Sequence, residues 1–448
     1  MKKLKVEGVR GFRGAHAFEL DFTRPEGGYA GWTVIAGRNG SGKTTLLRTI
    51  ALALAGPRRA YQLEERLDDH LSHGESQGAV EVTLIADPKA DRGAPTSSNP
   101  LWAKVLWEPA RESLGEGDVP RPEVRFQAPS QVNSLLWSSS PPTGWFHVGY
   151  GPFRRLAGTG LYERVPQSAD RAAALRTLFE EQSALTESVD WLISLHLRQL
   201  EGEDAANKLL QSVRALLNDG LLPDGYQIHT VNSQGLWLRR VDDLGSEIAL
   251  RRMSDGLRTV SALVLDIVRH MHAAYGTLHL QHDERGAPYL PHPGVALIDE
   301  VDVHLHVSWQ QRIGEWFKNH FPAVQFVVTT HSPYICQAAD PGGLILLPGP
   351  DDPEPPQVAD EKLYGRVVYG TGDDAVLSEL FGLDSPFSHK AEELREELAD
   401  LEFAVATGQA DEFSMRRYRE LRRRLVTSQA TRVEELGIRA GREEASDP

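Results

Sequence analysis

Gly37-Arg38-Asn39-Gly40-Ser41-Gly42-Lys43-Thr44 decides how the rest of this 448-residue chain is read. Two glycines, a lysine and a hydroxyl residue at this spacing fit a phosphate-binding loop. Phosphate oxygens need several donors converging on one concave site, and successive backbone N–H groups of a glycine-rich turn at a helix N-terminus supply them. Lys43 adds a mobile positive charge, and Thr44 is placed to put its hydroxyl on Mg2+. Gly40 and Gly42 permit a backbone approach that a side chain would block. Gly37, Arg38, Asn39, Ser41 and Thr45 complete the candidate binding set. The flanks agree: Trp32 to Ala36 is a short β-like run, and Thr45 to Leu54 has helical apolar spacing.

Composition sets the outer limits. With 40% hydrophobic residues the chain can bury a large core, and its length suggests two or three lobes. No run approaches 18 apolar residues and the N-terminus has no secretory pattern, so the expected location is cytoplasmic, without membrane contact. Cys336 is the single cysteine, which excludes an internal disulfide and any CxxC metal hook. A net charge of -15 argues against uniform wrapping in nucleic acid, although nucleic acid stays open as a partner.

Outward from the loop, residues 1 to 36 alternate as an antiparallel strand pair, and Ala79 to Ile85 alternates again. Between Asp87 and Gly144, strand-like pieces (Trp102 to Trp107, Val124 to Phe126) are mixed with Pro, Ser and Gly clusters expected to be mobile surface loops. Gly149 to Arg155 reads as a structural turn with solvated arginines, with contact to a phosphate or a partner as the alternative. Ala169 to Asn218 has helical spacing, without the sustained heptads of a coiled-coil arm. After two further strand-like pieces, Ser254 and Asp255 open a helix. A helix cap explains them taken alone; beside a phosphate loop, a second helix N-terminus with Ser254 and Gly256 reads as a grip on a γ-phosphate.

Gly294 to Glu300 is a buried apolar strand ending in two acids, which are costly there unless something positive meets them. Mg2+ answers for Asp299 and an attacking water for Glu300. Asp302, His304 and His306 follow in a turn, read as a turn rather than a metal site. Phe326 to Pro333 repeats the design and carries His331 to the same site. Leu344 to Leu347 is a last core strand, followed by a Pro-Asp linker. The charged tail from about Lys390 to Arg442 is helical, and its basic run Arg416 to Arg424 reads as a solvated helix face.

Together, the phosphate loop, Met253-Ser254-Asp255-Gly256, the acidic strand end and Thr330-His331-Ser332 resemble the ABC-type ATPases of the SMC, RecF and OLD branch. The resemblance implies an α/β ABC-ATPase head (a P-loop NTPase) with an antiparallel β lobe, an inserted helical lobe and a helical C-terminal tail. The corresponding boundaries are 1–168, 169–225, 226–347 and 348–448. It also implies ATP and Mg2+ as ligands and a homodimer sandwiching ATP, open to higher assembly, in which Ser254 and Gly256 serve the partner's half of the site. Lys43 and Thr44 would hold phosphates and Mg2+, Asp299 would support Mg2+, Glu300 would polarise water, His331 would be the switch histidine and Asp302 would lie on the interface loop. Asp255 replaces the second glycine of the serine motif, and the glutamine loop has three candidates: Gln62, Gln127 and Gln131.

Within that branch, Ser254 to Arg258 and Tyr369 to Leu383 resemble compact ATPases of bacterial anti-phage systems, including Septu and some retrons. That implies a switch or scaffold with a separate effector, a nuclease or toxin. A DNA-binding repair ATPase of the RecF/SMC type is the alternative. A transport ATPase is disfavoured because about 210 residues separate Thr44 from Ser254. A nuclease of the OLD type is disfavoured because no spaced acidic metal set follows His331.

Overall fold

Three runs, 31–37, 294–298 and 324–330, are buried on both faces almost throughout, as strands covered by helices on each side must be. The computed structural model describes residues 1–95, 100–109, 121–140, 142–154, 171–180, 185–243, 245, 247–383 and 385–425. They belong to two compact units, Met1–Gly382 and Leu383–Pro448.

The first strands are β1 (Lys3–Glu7), β2 (Phe18–Asp21), β3 (Gly31–Gly37), β4 (Gly78–Leu84), β5 (Leu101–Glu108), β6 (Glu123–Gln127) and β7 (His147–Tyr150). A meander of β8 (Tyr226–Asn232), β9 (Gly235–Arg240) and β10 (Glu247–Ala249) follows, then a small pair, β11 (Gln281–His282) and β12 (Pro288–Tyr289). The last are β13 (Gly294–Ile298), β14 (Val324–Thr330), β15 (Leu344–Leu347) and β16 (Gln357–Val358). Helices in the first part are α1 (Lys43–Ala55), α2 (Pro57–Leu63), α3 (Ser130–Leu135), α4 (Ala173–Arg176), α5 (Thr186–Leu200) and α6 (Asp204–Asn218). The long α7 (Asp255–Tyr275) precedes α8 (Val307–Gln310), α9 (Ile313–His320), α10 (Pro333–Cys336), α11 (Glu361–Val368) and α12 (Gly372–Val376). The second unit holds α13 (His389–Ala406) and α14 (Glu412–Arg424).

The central sheet has the order β16-β15-β3-β14-β13-β7, parallel except for β16. An antiparallel sheet, β2-β1-β4-β5-β6, forms the second layer, and the alternation of β4 and β5 points Val80, Val105 and Trp107 inward. The helix after the phosphate loop, α1, fills the space between the sheets: its Leu46, Leu47 and Ile50 pack with Ile35, Leu297 and Val327 on one side and with those inward residues on the other. On the opposite face, Val34, Ala296 and Phe326 pack with Val260 and Val264 of α7 and with Ile313 and Phe317 of α9. One-residue alternation along each central strand thus supplies both cores. Because the five parallel strands run the same way, the segments after Gly37, Tyr150, Ile298, Thr330 and Leu347 leave the same edge of the sheet, where open α/β sheets form their ligand crevice.

In the second unit α13 and α14 form a hairpin clasped by Arg417, whose Nε and Nη2 donate to Glu397 at 2.7 and 2.8 Å. The basic run lies on α14, with the Arg416 side chain 80% exposed; residues 426–442 of the expected helical tail lie outside the described residues. Among the described residues no helix is long and apolar enough to cross a membrane.

Candidate nucleotide site

The phosphate loop joins β3 to α1 as the motif requires. Gly42 stands at φ 89, and a Cβ there would lie 2.9 Å from the Phe12 ring, so both backbone and space call for glycine. The Lys43 ammonium is folded back onto the loop, donating to the carbonyls of Gly37 at 2.8 Å and Arg38 at 2.9 Å. Burial pushes it below the ordinary lysine range, while Asp299, Glu300 and Asp302 pull it back up. The Ser41 hydroxyl is buried without a partner among the described residues. Arg38, Asn39 and Gly40 are exposed, and Arg38 Nη2 donates to the Gly382 carbonyl at 3.2 Å. Thr45 is half-buried on the first turn of α1.

Across the loop, Thr44 Oγ1 donates to Asp299 Oδ2 at 2.7 Å. The second oxygen, Asp299 Oδ1, accepts from Thr329 Oγ1 at 2.5 Å, and that same hydroxyl accepts from the Glu300 N–H at 2.8 Å. Thr330 Oγ1 donates to Asp302 Oδ1, so the ends of β13 and β14 are tied by two hydroxyls. Glu300 is half-buried; burial raises its pKa, and the neighbouring charges of Asp299 and Asp302 raise it further. His331 is exposed at the end of β14, and partial desolvation together with Lys43 lowers its pKa, favouring the neutral imidazole. A cavity of about 180 Å3 lies against Thr44, Arg48, Phe153 and Asp299. An orphaned hydroxyl, a lysine with only carbonyls to hold, a hydroxyl paired with a carboxylate and adjoining space together fit a phosphate chain with a hard, oxygen-seeking cation.

Ser254 occupies the cap position of α7 but makes no side-chain cap bond, so the helix-cap explanation does not account for it. Among the described residues no hydrogen bond links Ser254 or Gly256 to residues 37–45. Gly256 instead faces the turn after the acidic strand, where an added Cβ would lie 2.2 Å from the His304 carbonyl oxygen. Asp255 pairs with Arg258 at 3.0 Å. Asp302 and His304 lie in the turn after the acidic strand, and His306 caps α8, its side chain accepting from the Ser308 N–H.

One expectation requires correction. Arg154 is neither solvated nor free to reach a phosphate: it is 1% exposed and donates to the backbone carbonyls of Asp299 and Glu300, while Arg155 lies outside the described residues. The three glutamine candidates lie off the central sheet. Gln62 is on α2, Gln127 ends the antiparallel β6 and Gln131 is on α3. The segment beside the acidic strand is 151–154, after β7. Sequence reading also missed Thr329, whose signal is a pair of hydroxyl residues closing an otherwise apolar strand.

Residues 3–94 match a domain model described as AAA domain, and residues 224–337 match one described as AAA domain, putative AbiEii toxin, Type IV TA system. The chain resembles ABC- and SMC-type ATPases. It is 25% identical over 344 residues to the Septu protein PtuA of Bacillus mycoides (strain KBAB4), a match covering 77% of this chain and 40% of that protein. It is 38% identical over 107 residues to the Retron Ec83 probable ATPase of Escherichia coli, covering 24% of this chain and 18% of that protein. The chain therefore spans well under two thirds of the length of these relatives. Among solved structures, the SMC head domain from Thermotoga maritima overlaps at a TM-score of 0.39 and 13% identity, over 77% of this chain and 93% of that one. An SmcHead bound to the C-winged helix domain of ScpA overlaps at 0.44 and 16%, over the same shares. The ATPase-head resemblance rests on the matched domain models, the strand order and the loop geometry rather than on these overlaps.

Proposed function

We propose that this chain binds ATP and hydrolyses it with Mg2+, and that it serves as the nucleotide-dependent switch or scaffold of a bacterial anti-phage defence complex whose effector is a separate protein. The observation that carries the ATPase reading is the 2.7 Å bond from Thr44 to Asp299, which brings the phosphate loop and the acidic strand end, 255 residues apart, into one site. When bound, Mg2+ neutralises charge on the phosphate oxygens. Thr44 and Asp299 would hold it. Lys43 leaves the Gly37 and Arg38 carbonyls for the phosphates, and the backbone N–H groups of residues 37–45 cradle them. Glu300, made more basic by burial and by its acidic neighbours, accepts a proton from the attacking water. His331, neutral, orients that water or contacts the transferred group. Ser254 and Gly256 complete the site of a second copy, a reading supported by the idle Ser254 side chain. The relatives' names, Septu protein PtuA and retron probable ATPase, support the defence role.

The test is Glu300→Gln: nucleotide affinity should hold while turnover falls about 100-fold or more. Unchanged turnover in the purified variant would sink the assignment. Purification of the chain from its native host with no co-purifying effector, and ATPase stimulated by duplex DNA, would favour the repair alternative.

A further inference from the structure

The turn that carries Asp299 and Glu300 is held in an unusual way. Glu300 sits at φ 44, a left-handed conformation that a non-glycine residue keeps only where its surroundings enforce it. Its N–H is held by Thr329. Its carbonyl accepts from the Val303 N–H at 3.0 Å and from Arg154 Nη2 at 2.9 Å. Arg154 Nη1 reaches the carbonyls of Asp299 at 2.6 Å and Gly151 at 3.0 Å. Backbone pairing adds a further bond, from the Asp299 N–H to the Tyr150 carbonyl at 2.8 Å. A fully buried guanidinium is a costly way to satisfy carbonyls that neutral donors could serve. What a guanidinium alone provides is a rigid fork that spans two successive carbonyls, together with a fixed positive charge behind three clustered carboxylates, Asp299, Glu300 and Asp302.

We propose that Arg154 is a positioning residue for ATP hydrolysis: through the Asp299 and Glu300 carbonyls it locks the acidic turn so that the Glu300 carboxylate faces the attacking water. This rests on the ATPase reading above. Arg154 is buried and, among the described residues, donates only to backbone carbonyls of the turn and of Gly151, so its effect passes through Glu300.

A double-mutant cycle separates positioning from general support of the fold. Arg154→Met, Glu300→Gln and the double variant are compared for ATP turnover, for affinity towards a non-hydrolysable ATP analogue with Mg2+, and for thermal midpoint. Arg171→Met is the control, since Arg171 likewise donates to three carbonyls (Leu135, Pro142 and Gly144) but away from the acidic turn. Arg154→Met should lower turnover about 30-fold, part of the roughly 100-fold that loss of the base costs, with analogue affinity within about 3-fold of wild type. In the Glu300→Gln background the same change should matter less than about 3-fold, because the two act as one unit. Arg154→Lys, which keeps the charge and can reach one carbonyl, should recover part of the rate; it replaces Arg154→Met in the cycle if the methionine variant does not fold. Arg171→Met should lower the thermal midpoint without changing turnover per analogue-binding molecule. Equal losses from Arg154→Met with and without Glu300, or full turnover in a folded Arg154 variant, would overturn the proposal. A wild-type protein without ATPase, or a Glu300→Gln variant as fast as wild type, would instead overturn the ATPase reading and this proposal with it.

Discussion

Thr329 serves two neighbours with one hydroxyl, donating to Asp299 and accepting from the Glu300 N–H. It is fully buried, so Thr329→Val should leave that N–H unsatisfied and cost about 1–3 kcal/mol. Thr329→Ser should recover most of it; urea unfolding of the pair checks this, and equal stability of the valine variant would remove the role. The residues legible in sequence were those whose chemistry is local. Gly37 to Thr44 advertise themselves because one loop contains nearly the whole cradle, and Asp299 and Glu300 because acids at the end of an apolar strand need a reason. Arg154 was not legible. Its partners lie 145 and 146 residues away, and an arginine after a glycine-rich turn looks the same in sequence whether it meets water or a buried carbonyl.

At the scale of elements, α7 is joined at its middle to the end of β7. Asp266 of α7 accepts from the Tyr150 hydroxyl at the end of β7 and from Arg269, which also pairs with Glu187 of α5. Tyr150→Phe leaves Asp266 its arginine and should cost about 1 kcal/mol. Asp266→Leu removes the tyrosine's acceptor and one of the two carboxylates on the half-buried Arg269, which keeps Glu187, and should cost about 1.5–3 kcal/mol. A ranking reversed in denaturant unfolding would show that the tyrosine, not the ion pair, anchors the helix. Most strands and helices could be read from apolar spacing, because each central strand must be buried on both faces and α7 along most of its length. The missing glutamine loop could not be placed, since only strand order shows that 151–154, and not the segments holding Gln62, Gln127 or Gln131, flank the acidic strand.

For the molecule as a whole, three of the buried histidines weaken the fold towards acid. Burial holds His70 and His147 down to about 3 and His270 down to about 4, below the ordinary 6.5. The unfolded chain therefore takes up these protons first as pH falls, so stability is full above about pH 6.5 and declines towards pH 4. At pH 5 each ring costs about 2 kcal/mol, and three together approach a typical folding free energy. Thermal midpoints flat from pH 7 to pH 4.5 would contradict this. The close approach of Gly256 to the His304 carbonyl has a different reach. If Ser254 and Gly256 of one chain close the nucleotide site of the other, the piece that completes the neighbour's site is pressed against the turn that leads out of its own. The two sites are then geared, and turnover at one is felt as a push at the other. Lys43→Ala and Ser254→Arg, each inactive alone, form about half mixed dimers when combined in equal amounts, each with one intact site. Independent sites would restore about a quarter of wild-type activity; geared sites should restore less, though more than either variant alone. A full quarter would show two engines running side by side, and no recovery after complete subunit exchange would show that the site is not shared.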